Sequence, residues 1–258
     1  MSDLISALIL AVVQGIAEWL PISSSGHLVL FQQILNYPGS VMFDVALHFG
    51  TLMAVFVYFG KDIVDILEDL LKRKFHTQNA KLGYLLAVGT IPAAIVGFLF
   101  KNAIEKAFES LILVALGFGI TGLFLFIASL DLRKKKDRIS YKDSFLIGIG
   151  QAVAIMPGIS RSGSTISSGL LLGLDEKTAI KFSFLLSIPA IIGANIIEIG
   201  NKTLPRELFW ATLLAFVVGL LTIHLMLKYL LTNKKNLRWF GIYTFLLAFG
   251  IGVYLIFS

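Results

Sequence analysis

Long apolar runs separated by short polar segments dominate the chain, and this pattern predicts a bundle of membrane-crossing helices. A helix rises 1.5 Å per residue, so about 20 apolar residues cross the hydrocarbon core of a bilayer. On this criterion we predict six transmembrane helices, at about 41–60, 83–100, 111–130, 182–200, 208–231 and 239–257.

Two further apolar segments, about 4–35 and 144–173, are interrupted by polar and helix-breaking residues. Pro21 interrupts the first segment, and Pro157 with Gly158 interrupts the second. Proline cannot continue the hydrogen-bond ladder of a helix. Irregular backbone at membrane depth is tolerated only where protein or a water-filled cavity surrounds it. We therefore predict two re-entrant helical hairpins, the first turning at its serine run.

The two interrupted segments are copies of each other. The stretch QGIAEWLPISSSGHL begins at Gln14, and a weaker copy, QAVAIMPGISRSGST, begins at Gln151. The copies differ where chemistry is concentrated: Glu18 aligns with Ile155, Ser24 with Arg161, and His27 with Ser164. Three spans separate the hairpins, so the hairpins enter the bilayer from opposite faces. The sequence predicts an all-α polytopic protein, one membrane domain over 1–258, with inverted-topology repeats at about 4–131 and 144–257.

The distribution of lysine and arginine predicts the orientation of the chain. If both termini lie outside, most loop cations fall on the inner side, and the outer loops hold Lys101, Lys106, Lys202 and Arg206. Cytoplasmic loops are normally the basic ones. The run 61–76 has apolar residues at helical spacing and charges elsewhere, which predicts an amphipathic helix on the inner surface.

Composition narrows the class further. Hydrophobic residues make up 57% and charged residues 15% of the chain, against about a quarter charged in soluble domains. In a membrane protein the net charge of +6 reflects orientation and contact with anionic lipid, so nucleic acid is not an expected partner. The chain has no cysteine, which excludes disulfides and thiolate sites.

The first copy carries the acidic and hydroxyl groups. Gln14 and Glu18 are four residues apart and share a helix face. An ionisable side chain within a membrane segment costs about 3 kcal/mol on insertion scales and marks a functional site by default; the alternative is a structural hydrogen bond. The stretch Ser23–Gly26 precedes an apolar helix, so its hydroxyls and amides can bind phosphate, although helix capping also explains one serine.

His27 and Arg161 complete the candidate set. His27 beside serine and glutamate can activate a nucleophile or protonate a leaving group. Arg161 lies among Ser160, Ser162 and Gly163 in the second copy, and its planar guanidinium matches phosphate oxygens. The alternative is an ion pair, most simply with Glu18. Asp44 and His48, four residues apart at the start of a span, are ambiguous and could lie near the mouth of the site.

At QGIAEWLPISSSGH (14–27) and PGISRSG (157–163) the chain resembles the bacterial undecaprenyl-diphosphatase family, also called bacitracin-resistance proteins. The resemblance covers essentially the whole chain. It implies an inverted repeat with two re-entrant hairpins in the bacterial plasma membrane. It also implies hydrolysis of undecaprenyl diphosphate to the monophosphate at the outer face, which recycles the lipid carrier for peptidoglycan and confers bacitracin resistance.

The resemblance also assigns roles to residues. Glu18 matches the essential acid, Ser24 the proposed nucleophile, His27 the essential histidine and Arg161 the phosphate-binding arginine. It implies a divalent cation, Mg²⁺ or Ca²⁺, held by Glu18 and Gln14. Many members have glutamate where this chain has Gln14, so the cation would rely also on hydroxyls, water and substrate phosphates.

Two chemistries and two classes of function stay open at this point. Ser24 could attack the terminal phosphorus while His27 or Glu18 takes its proton, or Glu18 could activate water directly. The alternative class is a prenyl-phosphate flippase, because inverted repeats with broken helices are transporter architecture. The expected partners are the lipid diphosphate, membrane lipid and, in a homodimer, a second copy of the chain.

Overall fold

The structure, a computed structural model, describes residues 2–130, 136–199, 206–230 and 233–257. Its regular elements are helical. We number the α-helices in chain order as α1 (Ser2–Ala17), α2 (Ser24–Ile34), α3 (Val41–Tyr58), α4 (Gly60–Leu71), α5 (Gln78–Leu99), α6 (Lys101–Phe108), α7 (Leu111–Ala128), α8 (Tyr141–Val153), α9 (Arg161–Leu171), α10 (Glu176–Ile199), α11 (Arg206–Leu225) and α12 (Leu237–Phe257). A π-helical turn, Met226–Leu230, extends α11.

The described ranges contain five helices long and apolar enough to span a bilayer, and six if a bent pair counts as one span. The five are α5, α7, α10, α11 and α12, and the bent pair is α3 with α4, which meet at 78°. The predicted all-α polytopic membrane fold is therefore confirmed. The largest difference between a predicted and an observed helix boundary is at α10, which begins at Glu176 rather than near 182. The first turn of α10 is polar, so the apolar pattern did not include it.

Helix α4 corresponds to the amphipathic run predicted at 61–76. The helix is present, but it ends at Leu71, and Arg73 takes a left-handed conformation with φ of 55°. Ile66 of α4 is buried, while Val64, Leu67 and Leu71 are exposed apolar side chains. Its position on the inner membrane surface stays a prediction.

Each interrupted segment forms two short helices that pack side by side. In the first, α1 ends at Ala17, four residues before Pro21, and α2 begins at Ser24. We predicted that the first hairpin turns at its serine run; instead Ser23 caps α2, and Ser24 and Ser25 lie in the first turn of that helix. In the second segment α8 ends at Val153 and α9 begins at Arg161. Whether either hairpin is re-entrant stays a prediction.

Corresponding helices of the two halves make corresponding contacts. Helix α1 packs on α11 as α8 packs on α5, and α3 packs on α11 as α10 packs on α5. Contacts of α3 with α10 and of α7 with α12 join the halves. The repeat, its inversion and its limits stay predictions, and the proposed end of the first repeat at 131 lies outside the described residues.

Candidate functional site

The two interrupted segments meet at their breaks, and the meeting point is polar. The Ser162 hydroxyl at the start of α9 donates to the Leu20 carbonyl in the first break, at 3.0 Å. Beside this contact Arg161 forms an ion pair with Glu18. Both side chains are largely buried, with 16% and 3% of their surfaces exposed. The structure thus joins the acidic copy to the basic copy.

Both carboxylate oxygens of Glu18 have partners. Arg161 Nη2 donates to Oε1. The Ser24 hydroxyl donates to Oε2 at 2.6 Å, and Gln14 Nε2 donates to the same oxygen at 3.0 Å. Charge-assisted hydrogen bonds of this kind are about twice as strong as neutral ones. Glu18 is therefore held ionised and oriented, with one oxygen serving the serine and the other serving the arginine.

The serines predicted as one phosphate-binding run have three different positions. Ser24 is the one that contacts Glu18. Ser23 caps α2 by accepting the Gly26 amide at 3.2 Å, and Ser25 lies 3.2 Å from Ser23, hydroxyl to hydroxyl. Helix capping therefore explains Ser23, as the alternative interpretation held. Gly26 is needed for packing, because a Cβ there would lie 2.6 Å from the ring of Phe118.

Ser23 has an unusual backbone conformation. Its φ is 69° and its ψ is 96°, which non-glycine residues rarely adopt. Such a conformation costs on the order of 1–3 kcal/mol and persists only where surrounding contacts hold it. The strained peptide directly precedes Ser24, so the contacts of Ser23 determine where the Ser24 hydroxyl lies.

Arg161 can donate further hydrogen bonds beyond its ion pair with Glu18. Its guanidinium carbon lies 5.7 Å from the ring centroid of Trp19, which is fully buried. Its Nη1 is buried and has no hydrogen-bond partner among the described residues. A buried guanidinium nitrogen without an acceptor is costly unless a ligand supplies one. This free donor fits an oxygen of a phosphate group.

The second break is fixed by helix α7. Thr121 donates to the Gly158 carbonyl at 3.0 Å and accepts the Ser160 amide at 2.9 Å. Gly158 has φ of 82°, which suits glycine, and Gly117 approaches so closely that a Cβ would lie 2.2 Å from the Pro157 carbonyl oxygen. These contacts set the position from which Arg161 reaches Glu18.

Three of the predicted phosphate-binding residues lie at the start of α9. Ser160 caps that helix by accepting the Gly163 amide at 3.0 Å. Its hydroxyl also lies 3.2 Å from the Ser162 hydroxyl. The turn repeats the arrangement of Ser23, Ser25 and Gly26. Phosphate binding by either set stays a prediction.

His27 lies in the same region, but both its ring nitrogens are already in contact. Nδ1 lies 2.6 Å from the Ser23 carbonyl and therefore carries a hydrogen, and Nε2 lies 2.7 Å from the hydroxyl of Tyr243 on α12. The side chain is almost fully buried. The structure thus gives His27 partners other than Ser24 and Glu18.

His48 of α3 lies beside the site. Its Nε2 is 3.5 Å from Glu18 Oε2, and its Nδ1 lies 2.8 Å from the Asp44 carbonyl of its own helix. Asp44 points elsewhere and accepts from Gln32 at 2.8 Å. The side chain of His48 is 28% exposed, so it borders the site from the accessible side.

The residues predicted to hold a divalent cation offer a small donor set. Gln14 Oε1 is buried and has no hydrogen-bond partner within the described ranges, and Glu18 Oε1 keeps one lone pair beyond the arginine contact. No cluster of three or more histidine, aspartate or glutamate residues suited to a metal occurs in the described part of the chain. This set fits a cation held mainly by substrate phosphates, as is common for Mg²⁺.

Sequence reasoning missed Trp19, Thr121 and Tyr243. Trp19 looked like one apolar residue among many, and Tyr243 and Thr121 are ordinary residues of long spans. The available signal was weak: a hydroxyl in an otherwise apolar helix requires a partner. Nothing in the sequence indicates which distant turn supplies that partner.

Together these features define a polytopic membrane protein with a buried serine–glutamate–arginine site formed by two broken helices. Residues 7–250 match the family described as bacitracin resistance protein BacA. The chain belongs to this family.

Named relatives resemble the chain over nearly its full length. An undecaprenyl-diphosphatase from Methanococcus vannielii is 38% identical over 252 residues, covering 96% of this chain and 99% of that protein. Its counterpart from Thermosipho africanus is 41% identical over 245 residues, covering 93% and 96%. Undecaprenyl-diphosphatase 4 from Bacillus thuringiensis is 40% identical over 262 residues, covering 98% and 96%.

Proposed function

We propose that this protein hydrolyses undecaprenyl diphosphate to undecaprenyl phosphate and inorganic phosphate. The observation that carries the proposal is the Ser24 hydroxyl, which donates to Glu18 Oε2 at 2.6 Å while Arg161 pairs with the other oxygen. A hydroxyl oriented on a carboxylate is an activated nucleophile. The names of the relatives supply the substrate and the reaction.

In the proposed mechanism Ser24 Oγ attacks the terminal phosphorus and Glu18 accepts its proton. A bond forms between Oγ and phosphorus, and the bond from phosphorus to the bridging oxygen breaks, releasing the prenyl monophosphate. Water then hydrolyses the phosphoserine. Direct attack by water activated at Glu18 is the competing chemistry.

Arg161 neutralises charge on the transferred phosphoryl group through its fork of donors, with Nη1 free to bind a phosphate oxygen. Phosphoryl transfer is catalysed mainly by such positioning and charge stabilisation. A divalent cation, when bound by Gln14, Glu18 and the substrate phosphates, would supply further neutralisation.

The proposed cellular setting follows the same reasoning. The protein lies in the bacterial plasma membrane with its site opening outward, as the resemblance to the family implies. The loop cations favour an orientation with both termini outside. There it regenerates the carrier lipid for peptidoglycan and confers resistance to bacitracin. A homodimer remains part of the proposal. The flippase alternative gains no support from the named relatives.

The decisive measurement is phosphate release from C55 diphosphate by purified protein in detergent. Ser24→Ala is expected to lose more than about a hundredfold in kcat/KM, because no other group replaces the nucleophile. Ser164→Ala, at the position of the second copy that aligns with His27, is the matched control and should stay within about twofold of the original chain. Acid quenching with labelled substrate should trap phosphoserine at Ser24; full turnover by Ser24→Ala would exclude this mechanism.

Chelation tests the cation separately. With EDTA present, phosphate release should fall by more than about tenfold and return on adding Mg²⁺ or Ca²⁺, because the protein alone offers few cation ligands. Unchanged turnover after exhaustive chelation would remove the cation from the proposal and leave Arg161 as the charge partner.

A further inference from the structure

The residues that cap α2 and α9 differ in backbone conformation. The hydroxyls of Ser23 and Ser160 cap their helices in the same way, by accepting the amides of Gly26 and Gly163. Yet φ is 69° at Ser23 and −72° at Ser160, the latter an ordinary value. Capping is therefore satisfied without the left-handed conformation, and something else imposes it on Ser23.

The additional contact at Ser23 is made by His27. Nδ1 of His27 lies 2.6 Å from the Ser23 carbonyl, which is an acceptor only, so Nδ1 must donate. In the second copy the aligned residue is Ser164, whose hydroxyl is buried and has no hydrogen-bond partner among the described residues. The imidazole bond and the left-handed backbone thus occur in the same copy.

Tyr243 forms a hydrogen bond with the other ring nitrogen of His27, Nε2. With Nδ1 protonated, Nε2 of neutral His27 is an acceptor, and the Tyr243 hydroxyl 2.7 Å away donates to it. The two rings stack, with an interplanar angle of 11°, and Phe118 meets the imidazole edge-on at 90°. Tyr243 therefore fixes both the tautomer and the ring orientation of His27.

We propose that Tyr243 is a positioning residue for the reaction and acts through His27. The chain of hydrogen bonds from Tyr243 through His27 to the Ser23 carbonyl holds Ser23 in its left-handed conformation. That conformation directs the Ser24 hydroxyl at Glu18. His27 then serves as a hydrogen-bond donor to the backbone rather than as the base for Ser24. This inference rests on the proposed function.

Substitutions at His27 separate the two roles. The amide nitrogen of His27→Asn can occupy the position of Nδ1, whereas His27→Gln places its amide near Nε2 and His27→Ala offers no donor. We expect His27→Asn to stay within about tenfold of the original kcat, and the other two to lose more than about a hundredfold. Equal loss in all three variants would overturn the proposal.

Tyr243→Phe tests the new residue directly, because it removes the hydroxyl and keeps the ring. We expect kcat to fall about tenfold with KM within about twofold, since substrate contacts are unchanged. Tyr254→Phe, an exposed tyrosine on the same helix, is the control. Tyr243→Phe combined with His27→Ala should be no worse than His27→Ala alone. Unchanged kcat in Tyr243→Phe, or additive losses, would contradict the inference.

A spectroscopic test is independent of turnover. In protein labelled with ¹⁵N-histidine, the His27 resonances, assigned by their loss in His27→Asn, should show a protonated Nδ1. Tyr243→Phe should shift the Nε2 resonance and leave the other histidines in place. A protonated Nε2 in the original chain would overturn the proposal. If the shift occurs but the original chain releases no phosphate, the proposed function fails while the hydrogen-bond chain stands.

Discussion

Glu18 determines the chemistry at the scale of single residues. Its carboxylate accepts hydrogen bonds from Gln14, Ser24 and Arg161, and His48 lies within 3.5 Å. A buried carboxylate with this many donors stays ionised and keeps one geometry. Replacing any one donor removes that group and also changes the orientation of the Glu18 carboxylate. The losses of activity in variants at these positions should therefore not be additive.

For Arg161 we predict that the planar geometry of the guanidinium, and not its charge alone, is needed for activity. Arg161→Lys keeps the positive charge but loses the planar fork, which pairs with Glu18 and in the proposed mechanism also binds a phosphate oxygen. We expect kcat/KM for phosphate release to fall about a hundredfold. The control is Arg238→Lys, because Arg238 also lies over a tryptophan, 5.2 Å from the ring centroid of Trp239, but is not among the described hydrogen-bond partners of Glu18. Comparable losses in both variants would show that the fork has no special role.

At the scale of elements, helix α7 holds the second break through close backbone contact. Gly117→Ala would place a Cβ 2.2 Å from the Pro157 carbonyl oxygen, and backbone cannot move aside cheaply. We expect a loss of about 1–3 kcal/mol in stability together with reduced activity. Thermal unfolding in detergent measures the first effect.

Gly119 of the same helix is the matched control for this substitution. A Cβ at Gly119 would meet no atom of the described residues within 4 Å, so Gly119→Ala should be neutral or slightly stabilising. If Gly117→Ala unfolds at the same temperature as Gly119→Ala, the close contact does not hold the break.

At the N-terminus of α8, outside the spanning segments, we predict that one carboxyl makes the stability of the protein depend on pH. Burial raises the pKa of Asp143, but the hydrogen bonds from Lys136 and Ser140 outweigh it and hold that pKa below its ordinary value. Ser140 and Asp143 form a capping box. The folded carboxyl therefore ionises more readily than the unfolded one. Its stabilisation is present above the unfolded pKa and is lost as pH falls through the folded pKa.

Asp143→Asn should accordingly cost about 1 kcal/mol at neutral pH through loss of the charged cap. The unfolding temperatures of the variant and the original chain should converge as the pH is lowered toward the folded pKa. Asp137→Asn, an exposed position in the preceding loop, is the control and should follow the original chain at every pH. A constant difference between Asp143→Asn and the original chain at all pH values would contradict the assignment.

At the scale of the whole molecule, the absence of cysteine makes orientation measurable. A single cysteine at Lys106 should react with an impermeant maleimide added to intact cells, because the positive-inside rule places it outside. A cysteine at Lys72 should react only after the cells are permeabilised. The reverse labelling pattern would invert the proposed topology and move the site to the other face.

Hydrophobic patterning by itself predicted the class of fold, and its six spans compare with five spanning helices, or six with the bent pair, in the described ranges. The length of an apolar run decides whether it can cross the bilayer, and run length is read directly from the sequence. The polar motifs predicted a duplication and the site residues Glu18, Ser24, His27 and Arg161, and both stay predictions. The sequence did not predict where the helices end within the polar breaks. Serine caps such as Ser23 and Ser160 lie close to proline and glycine there, and each of these residues is a signal for a helix end.

Only the tertiary structure decided which groups meet. Arg161 reaches Glu18, and Tyr243 reaches His27 across 216 positions of the chain, because long helices bring distant turns together. The sequence offered the pair of Arg161 with Glu18 as one alternative, and the structure confirms that pair. It did not indicate that Tyr243 contacts His27. Hydrogen-bond partners depend on packing between elements, so the contact of Ser24 with Glu18 and the capping role of Ser23 became visible only in the folded molecule.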